Sequence, residues 1–145
     1  KRAWKLSLFS DLTICSGDLV FPIHKAIVCP QSPYFHALCN WGNTGNSPTF
    51  IQNDEELPEV IDALLEFVYT NNLDFGDDTD SSSALPRHDL VIPMLIAANR
   101  YSILECKEMM EDIIGSNLDI DNVLSLAILA DQHQVFVFNS NHLCF

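Results

Sequence analysis

Two short apolar runs separated by a Gly-Asp turn decide most of what this chain can become. Leu12 and Ile14, then Val20, Phe21 and Ile23, flank Ser16-Gly17-Asp18. Apolar residues two apart suit half-buried strands, and Gly with Asp suits a tight hairpin. Directly afterwards, His24 to Cys29 reads as a short helix stopped by Pro30, because proline lacks the N–H and clashes with the preceding turn. Ser32-Pro33 starts a second helix, with Ser as its N-cap, Pro at its first position and Phe35 and Leu38 three apart. A hairpin feeding two helices excludes both an all-helical bundle and a pure sandwich.

The remaining segments extend that pattern. Trp4, Leu6 and Leu8 alternate with Lys5 and Ser7 as a strand-like lead-in, and Thr49-Phe50-Ile51-Gln52 reads as a third strand. From Pro58 the spacing is helical, with Val60, Ile61, Leu64, Leu65 and Val68 on one side and Glu59, Asp62 and Glu66 on the other. Residues 74–89 are acidic, Ser-rich and unperiodic, the signature of a surface loop. Helices follow at Leu90–Arg100 and Ile103–Ile114. Pro93 predicts a late start or a kink in the first, and Gly115 predicts the end of the second. Asp119 or Asp121 caps a last helix through Val123, Leu124, Ala127 and Ala130; beyond Gln134 the run reads as strand rather than helix. The sum is an α+β domain.

Charge and chemistry narrow the function classes. Acidic residues outnumber basic ones 20 to 7, for a net charge of -13. Such a surface repels phosphate backbones, so direct nucleic-acid binding by this segment is not expected. The five cysteines are odd in number, scattered and free of CxxC spacing, which fits a reducing intracellular compartment. No apolar run is long enough for a bilayer-spanning helix. The histidines show no ligand spacing with the cysteines, and no cofactor or metal is expected. No phosphate loop, nucleophile elbow or HExxH is present, so the chain is not expected to be an enzyme. His24, with no nucleophile near it in sequence, reads as a packed or hydrogen-bonded structural histidine.

Five pieces, taken in order, carry a resemblance: Ser10-Asp11-Leu12-Thr13-Ile14, Phe21-Pro22-Ile23-His24-Lys25-Ala26, Ser32-Pro33-Tyr34-Phe35, the run from Leu64 to Thr70, and Ala97-Ala98-Asn99-Arg100-Tyr101. Together they resemble the BTB (POZ) domain, a protein-interaction module, and the Asp-Leu-Thr-Ile and His-Lys-Ala phrasing is especially similar to fungal members. The resemblance implies a BTB/POZ fold: a small three-stranded sheet wrapped by a cluster of helices, with a C-terminal helical extension. It divides the chain into a lead-in at 1–9, a core at 10–117 and a helical extension at 118–145, whose final run reads as native continuation, a truncation or a different reading of the gene. Two departures stand out. Leu57 occupies a place where the family usually carries an acid before the proline, and the acidic loop is long.

The resemblance also implies sites. Asp11 and Lys25 fall where the family places a charged pair near the dimer groove. An acid and a base in apolar elements need each other, which predicts a paired, partly buried arrangement, the alternative being two ordinary exposed charges. Trp4, Leu6, Leu8, Phe9 and His24 are the expected dimer interface, giving a homodimer with the same patch buried on both copies. The segment from Asn122 to His133 resembles the helix just beyond the core in adaptors of cullin ubiquitin ligases. A partner surface for a cullin scaffold would use Tyr34, Phe35, Leu38 and Trp41. Phe35 and Leu38 read as core, Tyr34 and Trp41 as surface anchors. Many cullin-binding members carry Glu two residues after the apolar position equivalent to Leu38, where this chain has Asn40. The implied function is self-association and partner recruitment, with a protein substrate in the adaptor reading. The alternative is the oligomerisation domain of a transcriptional regulator whose DNA-binding part lies outside the segment.

Overall fold

The computed structural model describes residues 8–40, 50–73, 90–117, 119–133, 138–139 and 143–144. The expected hairpin is β1 (Leu12–Ser16) and β2 (Leu19–Ile23), antiparallel with Leu12 opposite Ile23 and Ile14 opposite Phe21. All four of those side chains are buried, so one face of the hairpin is the core face. Gly17 opens the two-residue turn at φ +57°, a left-handed conformation that a Cβ would penalise. The third strand, β3 (Phe50–Asn53), runs parallel to β1 on its other side, giving the order β2-β1-β3.

Parallel pairing of β1 with β3 requires a crossover, and α1 (Lys25–Gln31) and α2 (Pro33–Asn40) lie between them in the chain. α1 does not stop before Pro30; the proline sits inside its last turn. There its missing N–H forfeits only one intrahelical bond, and the helix ends one residue later at Gln31, with Ser32 as its C-cap. That serine caps α2 as expected, its Oγ accepting the Phe35 N–H at 3.1 Å. Gln31 ties α1 inward by donating to the Val68 carbonyl at 2.7 Å.

Helix α3 (Pro58–Thr70) is the centre of the core. Besides the predicted stripe it buries Ala63 and Phe67, because α1, α4 and α5 all pack against it. Asn71 ends it in the left-handed region at φ 53°, its N–H donating to the Phe67 carbonyl at 2.7 Å. Helix α4 (Val91–Arg100) begins so that Pro93 falls in its first turn, where the lacking N–H has no intrahelical partner to lose. Helix α5 (Leu104–Ser116) runs through Gly115 instead of ending at it; the glycine is buried. Helix α6 (Val123–His133) follows, preceded by Asp119, whose carbonyl accepts the Val123 N–H at 2.9 Å. A short antiparallel pair, β4 (Phe138–Asn139) with β5 (Leu143–Cys144), accounts for the strand character past Gln134.

One buried acid sits awkwardly in this core. Glu111 on α5 is buried, its Oε1 lacks a hydrogen bond, and Lys107 Nζ stands 3.9 Å away. Desolvation raises its carboxyl pKa, Lys107 lowers it, and Glu108 and Asp112 raise it further; the net direction is upward. A carboxyl raised in the folded state contributes fully below the unfolded pKa, about 4.3, and loses that contribution as pH rises through the folded value. Glu111→Gln is therefore expected to raise the urea midpoint at pH 7. The gain should fade as pH drops below the unfolded value, as read by urea titrations at pH 7 and in acid.

Candidate protein-interaction site

The lead-in is attached to the core through His24. The ring Nε2 lies 2.8 Å from the Leu8 carbonyl, which only accepts, so this nitrogen carries the proton. In the neutral ring Nδ1 then accepts from the Tyr69 hydroxyl at 2.7 Å, and the Tyr69 oxygen accepts the His24 backbone N–H at 2.9 Å. Burial holds the Tyr69 phenol above its ordinary pKa, with the Asp11 carboxylate adding to the effect, so it stays a donor. Lead-in, α1 and α3 are thereby tied at one point. His24 is the hydrogen-bonded structural residue that its sequence context indicated.

This tie leaves Leu8 and Phe9 facing solvent. Phe9 is 94% exposed and sits at φ 62°, a region an aromatic residue seldom occupies. Trp4 and Leu6 lie outside the described residues.

Asp11 is not the buried half of a pair. It is exposed, and its Oδ1 accepts the Lys25 backbone N–H at 2.7 Å. The carboxylate thus caps the first turn of α1 from the neighbouring strand, where a negative charge also complements the helix dipole. This position supplies an acceptor to the start of α1.

The second candidate surface divides. Phe35 is 3% exposed and stacks on Tyr101, with ring centroids 5.3 Å apart and planes 11° from parallel. It is a core residue and is withdrawn from the partner surface. Leu38 is half-buried and Trp41 lies outside the described residues. Tyr34 is 39% exposed, packed edge-on against Tyr101 at 5.3 Å, and presents a supported aromatic edge to solvent.

The sequence pointed to the helix from Asn122 to His133 but not to the exposed apolar row that it carries. Ile120 (89% exposed), Leu124 and Ile128 are spaced i, i+4, i+8 at the start of and along α6, and all three are exposed. The signal was available: Val123 to Ala130 contains no charged residue, and a helix apolar on every side needs cover on every side. In this structure only Ala130 of that run is fully buried.

Among the described residues no three His, Cys, Asp or Glu side chains are grouped to hold a metal, and no helix is long and apolar enough to cross a membrane. What the fold offers is apolar side chains mounted on a rigid α+β frame, the arrangement of a protein-interaction module. A model of the BTB/POZ domain family matches residues 1–118, and the chain belongs to that family.

Among curated relatives, BTB/POZ and MATH domain-containing protein 3 of Arabidopsis thaliana is 32% identical over 86% of this chain and 31% of its own length. Kelch-like protein 25 of Rattus norvegicus is 26% identical over 90% of this chain and 20% of its own. The chain therefore spans about a third or less of the relatives it matches. The BTB domain of zebrafish PATZ1 superposes with a TM-score of 0.60 at 20% identity, covering 75% of this chain and 78% of that one. The BTB domain of human Gigaxonin does so at 0.53 and 17%, covering 71% and 75%.

The capping role of Asp11 separates two substitutions that a buried ion pair would not. Asp11→Ala removes the acceptor and is expected to cost about 1 kcal/mol. Asp11→Asn keeps an acceptor oxygen and should lose less than half of that. Chemical denaturation of both variants beside the parent reads the difference.

Proposed function

We propose that this BTB/POZ domain associates with a second copy of itself through the lead-in and the start of α1, and recruits a protein partner. The observation that carries the reading is Phe9, an aromatic held almost fully in solvent on a left-handed backbone, beside an exposed Leu8 whose carbonyl His24 fixes. A side chain in that position gains nothing for the monomer, whereas two copies can bury it against one another. Trp4 and Leu6 extend the same patch in sequence, and Lys25 with Asp11 lies beside it. The core at 10–117, the lead-in at 1–9 and the extension at 118–145 are the units of this proposal.

A second reading, adaptor of a cullin ligase, is favoured by one observation, the uncovered row Ile120, Leu124 and Ile128. The resemblance assigns helices beyond the core to enlarging a cullin groove, and this row supplies apolar contacts there. Asn40 in place of the family's Glu weakens it. The domain catalyses nothing in either reading and acts inside the cell, where the described free thiols at Cys15, Cys29, Cys39 and Cys106 persist. A fungal-type branch belongs to the same proposal and rests on the phrasing of β1 and α1 alone.

Light scattering after size exclusion tests self-association. At micromolar concentration the chain is expected to run at twice its 16.3 kDa mass. Leu8→Ser with Phe9→Ser enters a symmetric interface twice and should weaken the dimer by about thirtyfold or more, the equivalent of about 2 kcal/mol. A parent that stays monomeric throughout overturns the reading. For the second reading, Leu124→Asp should abolish capture of a cullin N-terminal domain while leaving the dimer mass unchanged; failure of the unsubstituted chain to capture it removes the adaptor role.

A further inference from the structure

Helix α6 is attached to the core on one side only. Leu126 packs against the core and Ala130 is buried in it, whereas Leu124 and Ile128 are exposed. Residues two apart on a helix lie about 200° round its axis, so the two pairs occupy opposite faces. Ile120, exposed in the turn before the helix, precedes Leu124 by four residues.

The charge around this row is of one sign. Asp121 stands three residues before Leu124 and Asp131 three after Ile128, both exposed, and on the helix the spacing of Ile128 and Asp131 puts them on one face. Asp119 is also exposed, but its Oδ1 already accepts the Ile120 N–H at 2.6 Å. No Lys or Arg follows Lys107 in the sequence, and among the described residues none pairs with Asp121 or Asp131. Apolar side chains bracketed by unanswered carboxylates define what complements them.

We propose that this face of α6 docks an amphipathic helix of a partner protein, one whose apolar side chains are flanked at both ends by Lys or Arg. The proposal rests on the second reading above for its surface and adds the chemistry of what sits there. A helix is the fitting form, since the row consists of side chains and offers no open backbone edge to which a strand could add. Leu124 and Ile128 supply the burial, while a base against Asp121 and another against Asp131 fix the position of the partner along the row. A second copy of α6 would set acid against acid, and an anionic membrane surface would be repelled in the same way.

Two labelled synthetic helices test this on the 145-residue chain by fluorescence anisotropy. Both carry leucines at i, i+4 and i+8, set between lysines in one and between glutamates in the other. The lysine helix is expected to bind at least about tenfold tighter than the glutamate helix, and added salt should narrow the gap. Leu124→Ser with Ile128→Ser should abolish binding. Asp121→Asn with Asp131→Asn should weaken it about tenfold and remove most of its salt dependence. All four positions are exposed, so both variants should keep the circular dichroism of the parent. Should the serine pair fail to fold, the asparagine pair and the two parent titrations decide. Absence of binding overturns the proposal, as does equal affinity for the two helices or binding that survives the serine pair. A fall in the solution mass of the serine pair would assign the row to a second copy and overturns it too. If a cullin N-terminal domain is not captured while the lysine helix binds, only the adaptor reading fails; capture of that domain with no preference for the lysine helix removes only this proposal.

Discussion

The fold depends on a buried polar junction around Tyr101, where segments far apart in sequence meet. The Tyr101 hydroxyl lies 2.9 Å from Glu56 Oε2 and 3.2 Å from Asn53 Oδ1. Asn53 Nδ2 reaches Ser16 Oγ and the Glu56 carbonyl, both at 3.3 Å, and Ser16 donates to that same carbonyl at 2.9 Å. Arg100 closes the group by pairing with Glu56 and with Glu55. Ser32 donates to the Tyr101 carbonyl and so fastens the start of α2 to the end of α4. Each of these groups would be costly to bury alone, and together they satisfy one another. Burial and the Glu56 carboxylate hold the Tyr101 phenol well above its usual pKa, so it remains a donor. A core held only by aliphatic contact would tolerate sliding of β3 along β1; this junction permits one register.

The aromatic surface follows from the same junction. Tyr101 stacks on Phe35, and Tyr34 packs edge-on against both rings, at 5.5 Å from Phe35 and 5.3 Å from Tyr101. Neighbours in sequence on α2 point differently: one fills the core and the other leaves part of its ring in solvent. Packing against both rings leaves Tyr34 few conformations to lose, as an anchor in the proposed partner surface would require. His24 likewise positions Leu8 by bonding its carbonyl while its other ring nitrogen meets the Tyr69 hydroxyl.

Local patterns were legible in the sequence and long-range partners were not. The hairpin, the Ser32 cap and the strand character past Gln134 were readable because neighbours in sequence determine them. Pro30 and Gly115 were misread as stops. A proline in a terminal turn forfeits only one bond, and a buried glycine continues a helix when packing compensates its entropy. Apolar flanks suggested partial burial for Asp11, yet it lies exposed just before β1, beside the N-terminus of α1. Tyr69 as the partner of His24 had no signal at all, since nothing local links residues 45 apart. Phe35 and Tyr34 show why periodicity assigns faces only approximately: the boundary between core and surface on α2 is set by Tyr101, which belongs to another helix.

The charge of the chain constrains how its surfaces can work. Two copies, each carrying -13, repel one another before contact, over a range that salt shortens to about 8–10 Å. In the proposed dimer, attraction would therefore have to come from short-range burial of apolar groups such as the exposed Leu8 and Phe9 rather than from the acids around them. The same acidity discourages non-specific contact with other acidic proteins and with nucleic acid. The α6 row lies amid Asp119, Asp121 and Asp131, all exposed, so a partner seated there meets an apolar stripe flanked by acid. Binding at that stripe would select for apolar side chains accompanied by basic ones, a requirement that a second copy of this chain, with 7 basic residues against 20 acidic, meets poorly. In the proposed function, electrostatics would thus sort self-association and recruitment to different surfaces.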